Sequence, residues 1–120
     1  MESICRLKDI YKALYAYEKQ FAEDAGITIN EGALLCCMKD GKPKSANELS
    51  DFIGLSGSRV SRIIHAMEEK GFILREIGIS DKRQMIFTLT DAGRKKIKEM
   101  QGYTIDVHSL MVKLTTIAEE

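Results

Sequence analysis

Residues 45–93 decide the fold, and they read SANELSDFIGLSGSRVSRIIHAMEEKGFILREIGISDKRQMIFTLTDAG. A capping box of Ser45 and Glu48 precedes an apolar face, which predicts a short helix over residues 45–53. A three-residue turn then ends at Ser56, which caps a second helix. The apolar residues of that helix have the i, i+3, i+4, i+7 spacing of one buried stripe: Val60, Ile63, Ile64 and Met67.

Two short apolar segments follow, at residues 73–77 and 85–89, and a polar stretch joins them. This pattern predicts a two-stranded hairpin with a long tip. Helix, tight turn, helix and hairpin in this order form a winged helix-turn-helix. In that fold the second helix enters the major groove of DNA and the hairpin, or wing, lies beside it. We therefore predict a mainly α fold with a small β-hairpin wing that binds double-stranded DNA.

The N-terminal part of the chain has two helical patterns. Apolar residues at helical intervals predict a long helix over residues 4–25, and Gly26 is expected to end it in a left-handed conformation. Thr28 and Glu31 form a capping box for the next helix. Because residues 33–38 are apolar on every side, we expect this second helix to be central and buried.

The last segment begins at Thr90 and Asp91, and its pattern predicts one long helix with a weak point at Gly102. The apolar positions alternate steps of three and four: Ile97, Met100, Val107, Met111, Leu114 and Ala118, with Thr104 filling one slot. Such a seam needs a partner surface. We expect a single domain of residues 1–120, with a DNA-binding lobe over residues 28–93 and a homodimer interface formed by the helices of residues 1–27 and 94–120.

Charge and targeting signals narrow the class of protein only slightly. The chain has no secretory pattern and no apolar run of 18 residues, so we expect a cytoplasmic protein with no membrane partner. The 18 basic and 18 acidic residues give a formal net charge of zero, which by itself argues against a nucleic-acid binder. Residues 56–83 carry six basic against four acidic residues, so charge alone does not establish DNA binding.

The residues of the second helix that lie outside its apolar stripe form the candidate DNA-reading face. They are Ser58, Arg59, Ser61, Arg62 and His65. Arginine can bind guanine O6 and N7 with two hydrogen bonds, and serine can bind bases or phosphates. The helix caps at Ser45 and Ser56 join the predicted DNA-binding residues, and Gly57 leaves backbone N–H groups open to a phosphate. The alternative is an ordinary solvated helix face.

The wing tip reads Ser80-Asp81-Lys82-Arg83. We assign DNA binding to Lys82 and Arg83, because an arginine at such a tip can enter a narrow minor groove. Phosphates would repel Asp81, whose expected role is to orient Arg83 or the loop backbone. The alternative is a solvated hairpin loop.

These motifs together resemble the multiple-antibiotic-resistance regulator (MarR) family of transcription factors. The resemblance rests on residues 58–64, on Met67-Glu68-Glu69-Lys70-Gly71-Phe72-Ile73, on Asp81-Lys82-Arg83 and on Leu89-Thr90-Asp91-Ala92-Gly93-Arg94. The D-x-R wing and the L-T-x-x-G that follows are its most discriminating parts. Residues 28–100 match the pattern in order and spacing.

The resemblance implies a homodimeric repressor on a pseudo-palindromic operator, with residues 56–70 in the major groove and Arg83 in the minor groove. It also implies that a small-molecule effector or an oxidant weakens DNA binding. Members usually have two helices after L-T-x-x-G, whereas this chain has room for one long helix or two short ones. Tyr11, Tyr15 and Met38 are the candidate ligand-binding residues, although tyrosines on a first helix more often pack a dimer.

The three cysteines have different expected roles. Cys5 lies near the position at which the hydroperoxide-sensing branch of the resembled family has its reactive thiol, so it is the redox candidate. The tyrosines that accompany that thiol are replaced here by Ile29-Asn30-Glu31. Cys36 and Cys37 are expected to be small core residues.

No metal or other cofactor is expected, because His65 and His108 lie far apart and no ligand spacing is present. The chain also lacks a phosphate loop, a nucleophile elbow and a His-carboxylate pair, so we do not expect an enzyme. Two alternatives to DNA binding stay open at this point. One is a winged-helix module that binds protein, and the other is a cysteine-based redox or metal sensor.

Overall fold

The computed structural model describes residues 2–78, 84–102 and 107–119. In this part of the chain the elements are, in order, α1 (Glu2–Ala25), α2 (Ile29–Cys37), β1 (Lys44–Ser45), α3 (Ala46–Ile53), α4 (Gly57–Glu69), β2 (Ile73–Ile77), β3 (Met85–Leu89), α5 (Asp91–Gln101) and α6 (Val107–Glu119). The predicted fold class is confirmed: the protein is mainly helical, with a small antiparallel sheet.

The elements fall into two compact units. The first holds α1 and α6, and the second runs from Ile29 to Gly102 and holds the other helices and the sheet. The assignment of these parts to dimerisation and DNA binding stays a prediction. None of the helices of the described residues is both long enough and apolar enough to cross a membrane.

Apolar side chains from α2, α3, α4 and the sheet form the core of the second unit. The most completely buried are Leu34, Leu35, Met38, Leu49, Val60, Met67 and Ile73. The prediction that Cys36 and Cys37 belong to this core is wrong, because Cys36 is exposed and Cys37 is only half-buried. Successive helix residues are about 100° apart, so the turn that buries Leu34 and Leu35 directs Cys36 outward.

The caps and the turn of the helix-turn-helix form as predicted. The Ser45 hydroxyl accepts a hydrogen bond of 3.2 Å from the Glu48 backbone N–H, and the Glu48 carboxylate accepts one of 3.2 Å from the Ser45 N–H. Gly54 ends α3 with φ +78° and donates its N–H to the Ser50 carbonyl at 2.9 Å. The Ser56 hydroxyl then caps α4 by accepting a hydrogen bond from the Arg59 N–H. These bonds satisfy helix ends that would otherwise depend on water.

The sheet contains one strand that the sequence did not predict. The pairing of β2 with β3 runs from Ile73 opposite Leu89 to Ile77 opposite Met85, which confirms the hairpin strands. On the other edge of β3, Lys44 lies opposite Phe87 and Ser45 opposite Ile86. The strand order is β1-β3-β2. Two residues are too few to show an alternating pattern, so β1 gives no signal in the sequence.

The L-T-x-x-G motif joins β3 to α5. The Thr90 hydroxyl accepts a hydrogen bond from the Gly93 N–H at 3.0 Å and donates one to the Gly71 carbonyl at 2.6 Å. The Thr90 N–H donates to the Phe72 carbonyl at 3.0 Å. A Cβ at Gly93 would collide with that same carbonyl oxygen. The motif therefore ties the start of α5 to the segment that follows α4.

The prediction of one long C-terminal helix is wrong. α5 ends at Gln101 with Gly102 as its cap, and α6 begins at Val107. Residues 103–106 lie outside the described residues. The apolar phase continues across Gly102, but glycine has low helix propensity, and α5 ends there.

Candidate nucleic-acid interface

α4 has one buried side and one exposed side, as its sequence pattern predicts. Val60, Ile64 and Met67 are buried, and Ile63 is half-buried. Every residue of the candidate DNA-reading face is exposed: Ser58, Arg59, Ser61, Arg62 and His65. The face is therefore accessible to a duplex along about two turns of the helix.

The charges of this face are unequal along α4. Within residues 2–78, 84–102 and 107–119, neither the Arg59 nor the Arg62 guanidinium has an ion-pair partner. Acidic residues begin only at Glu68. Nε2 of His65 lies 3.0 Å from the carboxylate of Glu69, four residues further along α4, so the prediction that the chain lacks a His-carboxylate pair is wrong. The N-terminal half of the helix thus presents two arginines that are available to a negatively charged ligand.

The first turn of α4 is also open. The hydroxyls of Ser56 and Ser58 lie 3.3 Å apart, and a Cβ at Gly57 would meet nothing within 4 Å. The positive end of the helix dipole is at this turn, beside N–H groups that have no partner within the helix. This arrangement suits a phosphate group.

Ser45 differs from the other predicted DNA-binding residues. It is buried, and its hydroxyl is occupied by the capping bond to Glu48. The side chain is therefore not available to a phosphate, and the prediction is corrected to a structural role as the cap of α3.

Two ion pairs hold the C-terminal end of α4, and sequence reasoning identified neither. The Lys70 ammonium donates to both carboxylate oxygens of Glu31, at 3.0 and 3.1 Å, and the Glu31 side chain is only 7% exposed. One turn away, the Arg75 guanidinium donates to the Glu68 carboxylate at 2.8 Å. That hydrogen bond raises the pKa of Arg75 above its ordinary value. These pairs join residues that are distant in sequence, so no local pattern reveals them.

The predicted wing residues Ser80, Asp81, Lys82 and Arg83 lie outside the described residues. The base of the hairpin is described: the Gly78 N–H donates to the Gln84 carbonyl at 2.7 Å, and Ile77 lies opposite Met85. The roles assigned to Asp81, Lys82 and Arg83 stay predictions.

The predicted ligand-binding residues do not form one site. Met38 is completely buried in the core of the second unit, so its assignment to a ligand site is corrected to core packing. Tyr11 and Tyr15 are exposed on α1. There they line an open groove of about 720 Å³ with Lys8, Lys12, Leu14 and Glu18.

The cysteines are free thiols in different environments. Cys5 is exposed on α1, whereas burial raises the pKa of the half-buried Cys37 above its ordinary value. A raised pKa disfavours the reactive thiolate of Cys37. Among the described residues, no group of three or more His, Cys, Asp and Glu side chains is placed to hold a metal ion.

The MarR family model matches residues 27–85. The chain is 28% identical over 78 residues to the uncharacterized HTH-type transcriptional regulator YwoH of Bacillus subtilis (strain 168), covering 65% of this chain and 56% of that protein. It is 29% identical over 63 residues to the uncharacterized HTH-type transcriptional regulator YcgE of the same organism, covering 52% of this chain and 41% of that protein. The chain thus spans about half the length of the curated relatives it matches.

The fold is also similar to that of a MarR mutant from E. coli complexed with operator DNA. The TM-score is 0.74 at 19% identity, and the alignment covers 96% of this chain and 83% of that chain. The family match begins at the end of α1 and ends at the first residue of β3, so it includes the whole helix-turn-helix. Together with the shared fold, it identifies the chain as a member of the MarR family of winged helix-turn-helix proteins.

Proposed function

We propose that the protein is a sequence-specific DNA-binding transcriptional regulator that inserts α4 into the major groove. The observation that carries this proposal is the exposure of Arg59 and Arg62 on the outward side of the second helix of a helix-turn-helix, where neither has an ion-pair partner among the described residues. Arginine is the side chain best suited to guanine edges, and the open first turn of α4 suits a backbone phosphate. The E. coli MarR mutant of similar fold was crystallised with operator DNA, which supports the same use of this fold.

The proposal includes a homodimer. Four large side chains on one side of α1 are half or more exposed: Ile4, Leu7, Tyr11 and Tyr15. Their steps of three and four residues place them along one side of the helix, and exposed apolar patches of this kind mark protein interfaces. Met111 and Val112 of α6 add exposed apolar surface to the same unit. Two copies would place two α4 helices on successive major grooves, roughly 34–36 Å apart, which requires a pseudo-palindromic operator.

We further propose that the regulator is a cytoplasmic repressor and that a small ligand or an oxidant releases it from DNA. The groove at Tyr11 and Tyr15 supports a ligand of aromatic character. The exposure of Cys5 supports an oxidant. These two signals make different predictions for a Cys5→Ser variant.

Selection of bound duplexes from a random pool tests DNA reading directly, and a palindrome among them supports the dimer. A salt titration on a selected duplex then measures the charge that α4 contributes. We expect the affinity to fall steeply with salt, because each phosphate that the protein neutralises releases counterions. The Arg59→Ala, Arg62→Ala double variant should bind weakly with a shallower salt slope.

The matched control for this titration is Arg94→Ala. Arg94 is an exposed arginine on α5 whose partner is Asp91 at 3.0 Å, so its loss should leave DNA affinity nearly unchanged. No enrichment from the pool, or an affinity that does not respond to salt, would contradict DNA binding. That result would favour the protein-binding module that the zero net charge suggests.

Cys5→Ser distinguishes oxidant release from ligand release. If Cys5 is the sensor, peroxide should release the wild-type protein from its duplex and leave the variant bound. A variant that is still released by peroxide would remove Cys5 from the proposal. Cys36→Ser is the control, because Cys36 is also an exposed thiol but lies on α2.

A further inference from the structure

A side-chain bridge joins the recognition helix α4 to the hairpin β2–β3. The Arg75 guanidinium on β2 donates to the Glu68 carboxylate in the last turn of α4 at 2.8 Å. The same guanidinium lies 5.4 Å from the centre of the Phe87 ring on β3. One side chain therefore contacts the helix and both strands of the hairpin.

The position of the bridge makes it directional and partly shielded from water. Arg75 lies opposite Phe87 in the strand pairing, two residues before the hairpin base at Ile77. Phe87 is buried and the Glu68 side chain is 24% exposed, whereas the Arg75 side chain is 48% exposed. A charge-assisted hydrogen bond between such groups is stronger and more directional than one between neutral groups, and the aromatic face adds a cation–π attraction.

The bridge has no substitute among the described residues. It is the one side-chain hydrogen bond between α4 and the hairpin in that part of the chain. A charge-assisted hydrogen bond is directional, whereas apolar attraction is not. Arg75 is thus the side chain that ties the hairpin directly to α4 by a hydrogen bond in the part of the chain that the structure describes.

We propose that Arg75 is a positioning residue for DNA binding: it fixes the hairpin at the angle to α4 at which both reach one duplex. The proposal rests on the proposed function, because it presumes that α4 binds the major groove. Arg75 itself acts through Glu68 and Phe87 rather than by reading bases. Without the bridge, α4 still binds the major groove, but the hairpin no longer holds its contact with the flanking DNA.

Footprinting of full-length protein on a selected duplex separates these two contacts. Dimethyl sulfate reacts at guanine N7 and reports α4 in the major groove, whereas hydroxyl radicals report the flanking minor grooves. All variants are compared at one protein concentration, chosen to saturate the duplex with the wild-type protein. For Arg75→Gln and for Glu68→Gln we expect guanine N7 to stay protected, the flanking minor-groove protection to be lost, and the affinity to fall about 5- to 30-fold.

Two further variants complete the design. Arg75→Lys keeps the charge and should restore part of the flanking protection while guanine N7 stays protected, whereas a loss of folding stability would lower both protections together. Arg94→Gln breaks a comparable arginine–carboxylate pair on α5 and should change neither footprint. If Arg75→Gln does not fold, the footprint of Glu68→Gln tests the proposal, because that variant keeps the Arg75 side chain over the Phe87 ring.

Flanking protection that persists in Glu68→Gln or in a folded Arg75→Gln overturns the positioning role while the proposed function stands. A wild-type protein that protects no guanine N7 overturns the proposed function instead. Equal loss of both protections in every variant, Arg94→Gln included, also overturns the positioning role, because the effect is then not specific to this bridge.

Discussion

Gly93 has no side chain, and the carbonyl oxygen of Phe72 occupies the space in which a Cβ would stand. The close approach exists because Thr90 binds backbone groups on both sides of it, the Gly93 N–H and the Gly71 carbonyl. The residue types of the L-T-x-x-G motif are therefore required by packing in the lobe, independently of any contact with DNA.

Gly93→Ala should lower the free energy of unfolding by about 1–3 kcal/mol, the usual range for forcing an extra carbon into a packed site. Urea denaturation followed by circular dichroism measures the change. Gly57→Ala is the matched control, because a Cβ at Gly57 meets nothing within 4 Å, and its stability should be unchanged or slightly higher. Equal stability of the Gly93→Ala and wild-type proteins would show that the Phe72 carbonyl moves aside at little cost.

Arg83→Ala tests the predicted wing contact at the scale of one residue. We expect operator binding to weaken by about 1–3 kcal/mol, the range for loss of a single arginine contact. Fluorescence anisotropy with a labelled duplex gives the affinity, with Arg94→Ala as the control. Unchanged affinity would assign Arg83 to a solvated loop.

The outward residues of α4 were predictable because a helix repeats every 3.6 residues, so a buried stripe defines its exposed complement. Arg59, Arg62 and His65 followed directly from that period. The bridge between Glu68 and Arg75 was not predictable, because it forms across a chain reversal between two elements. Ser45 was assigned to DNA by residue type, whereas its burial became known only with the structure.

At the scale of elements, α4 is held differently at its two ends. The N-terminal end carries the open turn at Ser56 and Gly57, and the C-terminal end is bound through Lys70 to the buried carboxylate of Glu31 on α2. An element anchored at one end can present its other end without losing its place in the core. The anchored end thus supplies stability, and the open end is the one that we propose faces DNA.

Lys70→Met should destabilise the lobe by about 1–3 kcal/mol, because it removes a hydrogen-bonded charge from a carboxylate that is 7% exposed. Thermal unfolding at neutral pH measures the loss. Lys42→Met is the control, since Lys42 is exposed and its ammonium has no ion pair in the described part of the chain. Equal melting temperatures for the two variants would show that the Glu31 pair contributes nothing net.

The bounds of the helices and strands were predicted correctly where a capping residue or a change of apolar period marked them, and wrongly where neither did. The ends of α3 and the strands of the hairpin were predicted correctly from capping residues and turn residues. The division between α5 and α6 was missed because the apolar period passes through Gly102 unchanged. At Gly102 the low helix propensity of glycine outweighed the apolar period.

At the scale of the whole molecule, α1 presents two sides with different surroundings. One side faces α6, where the Arg6 guanidinium donates to the Ala118 carbonyl at 3.3 Å, and Ala13 and Tyr17 line a groove with Leu110. The other side carries the exposed row from Ile4 to Tyr15. A second copy of the chain is the partner we propose for that row.

Leu7→Glu should convert the proposed dimer into a monomer at micromolar concentration, because it places a charge in the apolar seam. Sedimentation equilibrium measures the mass of the particle. Gln20→Lys is the control: it adds a charge to an exposed position on the opposite side of α1, where it can still donate to the Asp24 carboxylate, and the dimer should persist. A wild-type protein that sediments as a monomer would contradict the dimer itself.

Ser45 is at once the last residue of β1 and the cap of α3, so no residue separates the strand from the helix. This arrangement leaves no room for an inserted residue, since one added residue would break either the pairing of Lys44 with Phe87 or the Ser45 cap of α3. The preceding loop is under no such constraint, because Lys42 and Pro43 are exposed. A reporter peptide should therefore be tolerated between Lys42 and Pro43, whereas the same peptide after Ser45 should prevent folding.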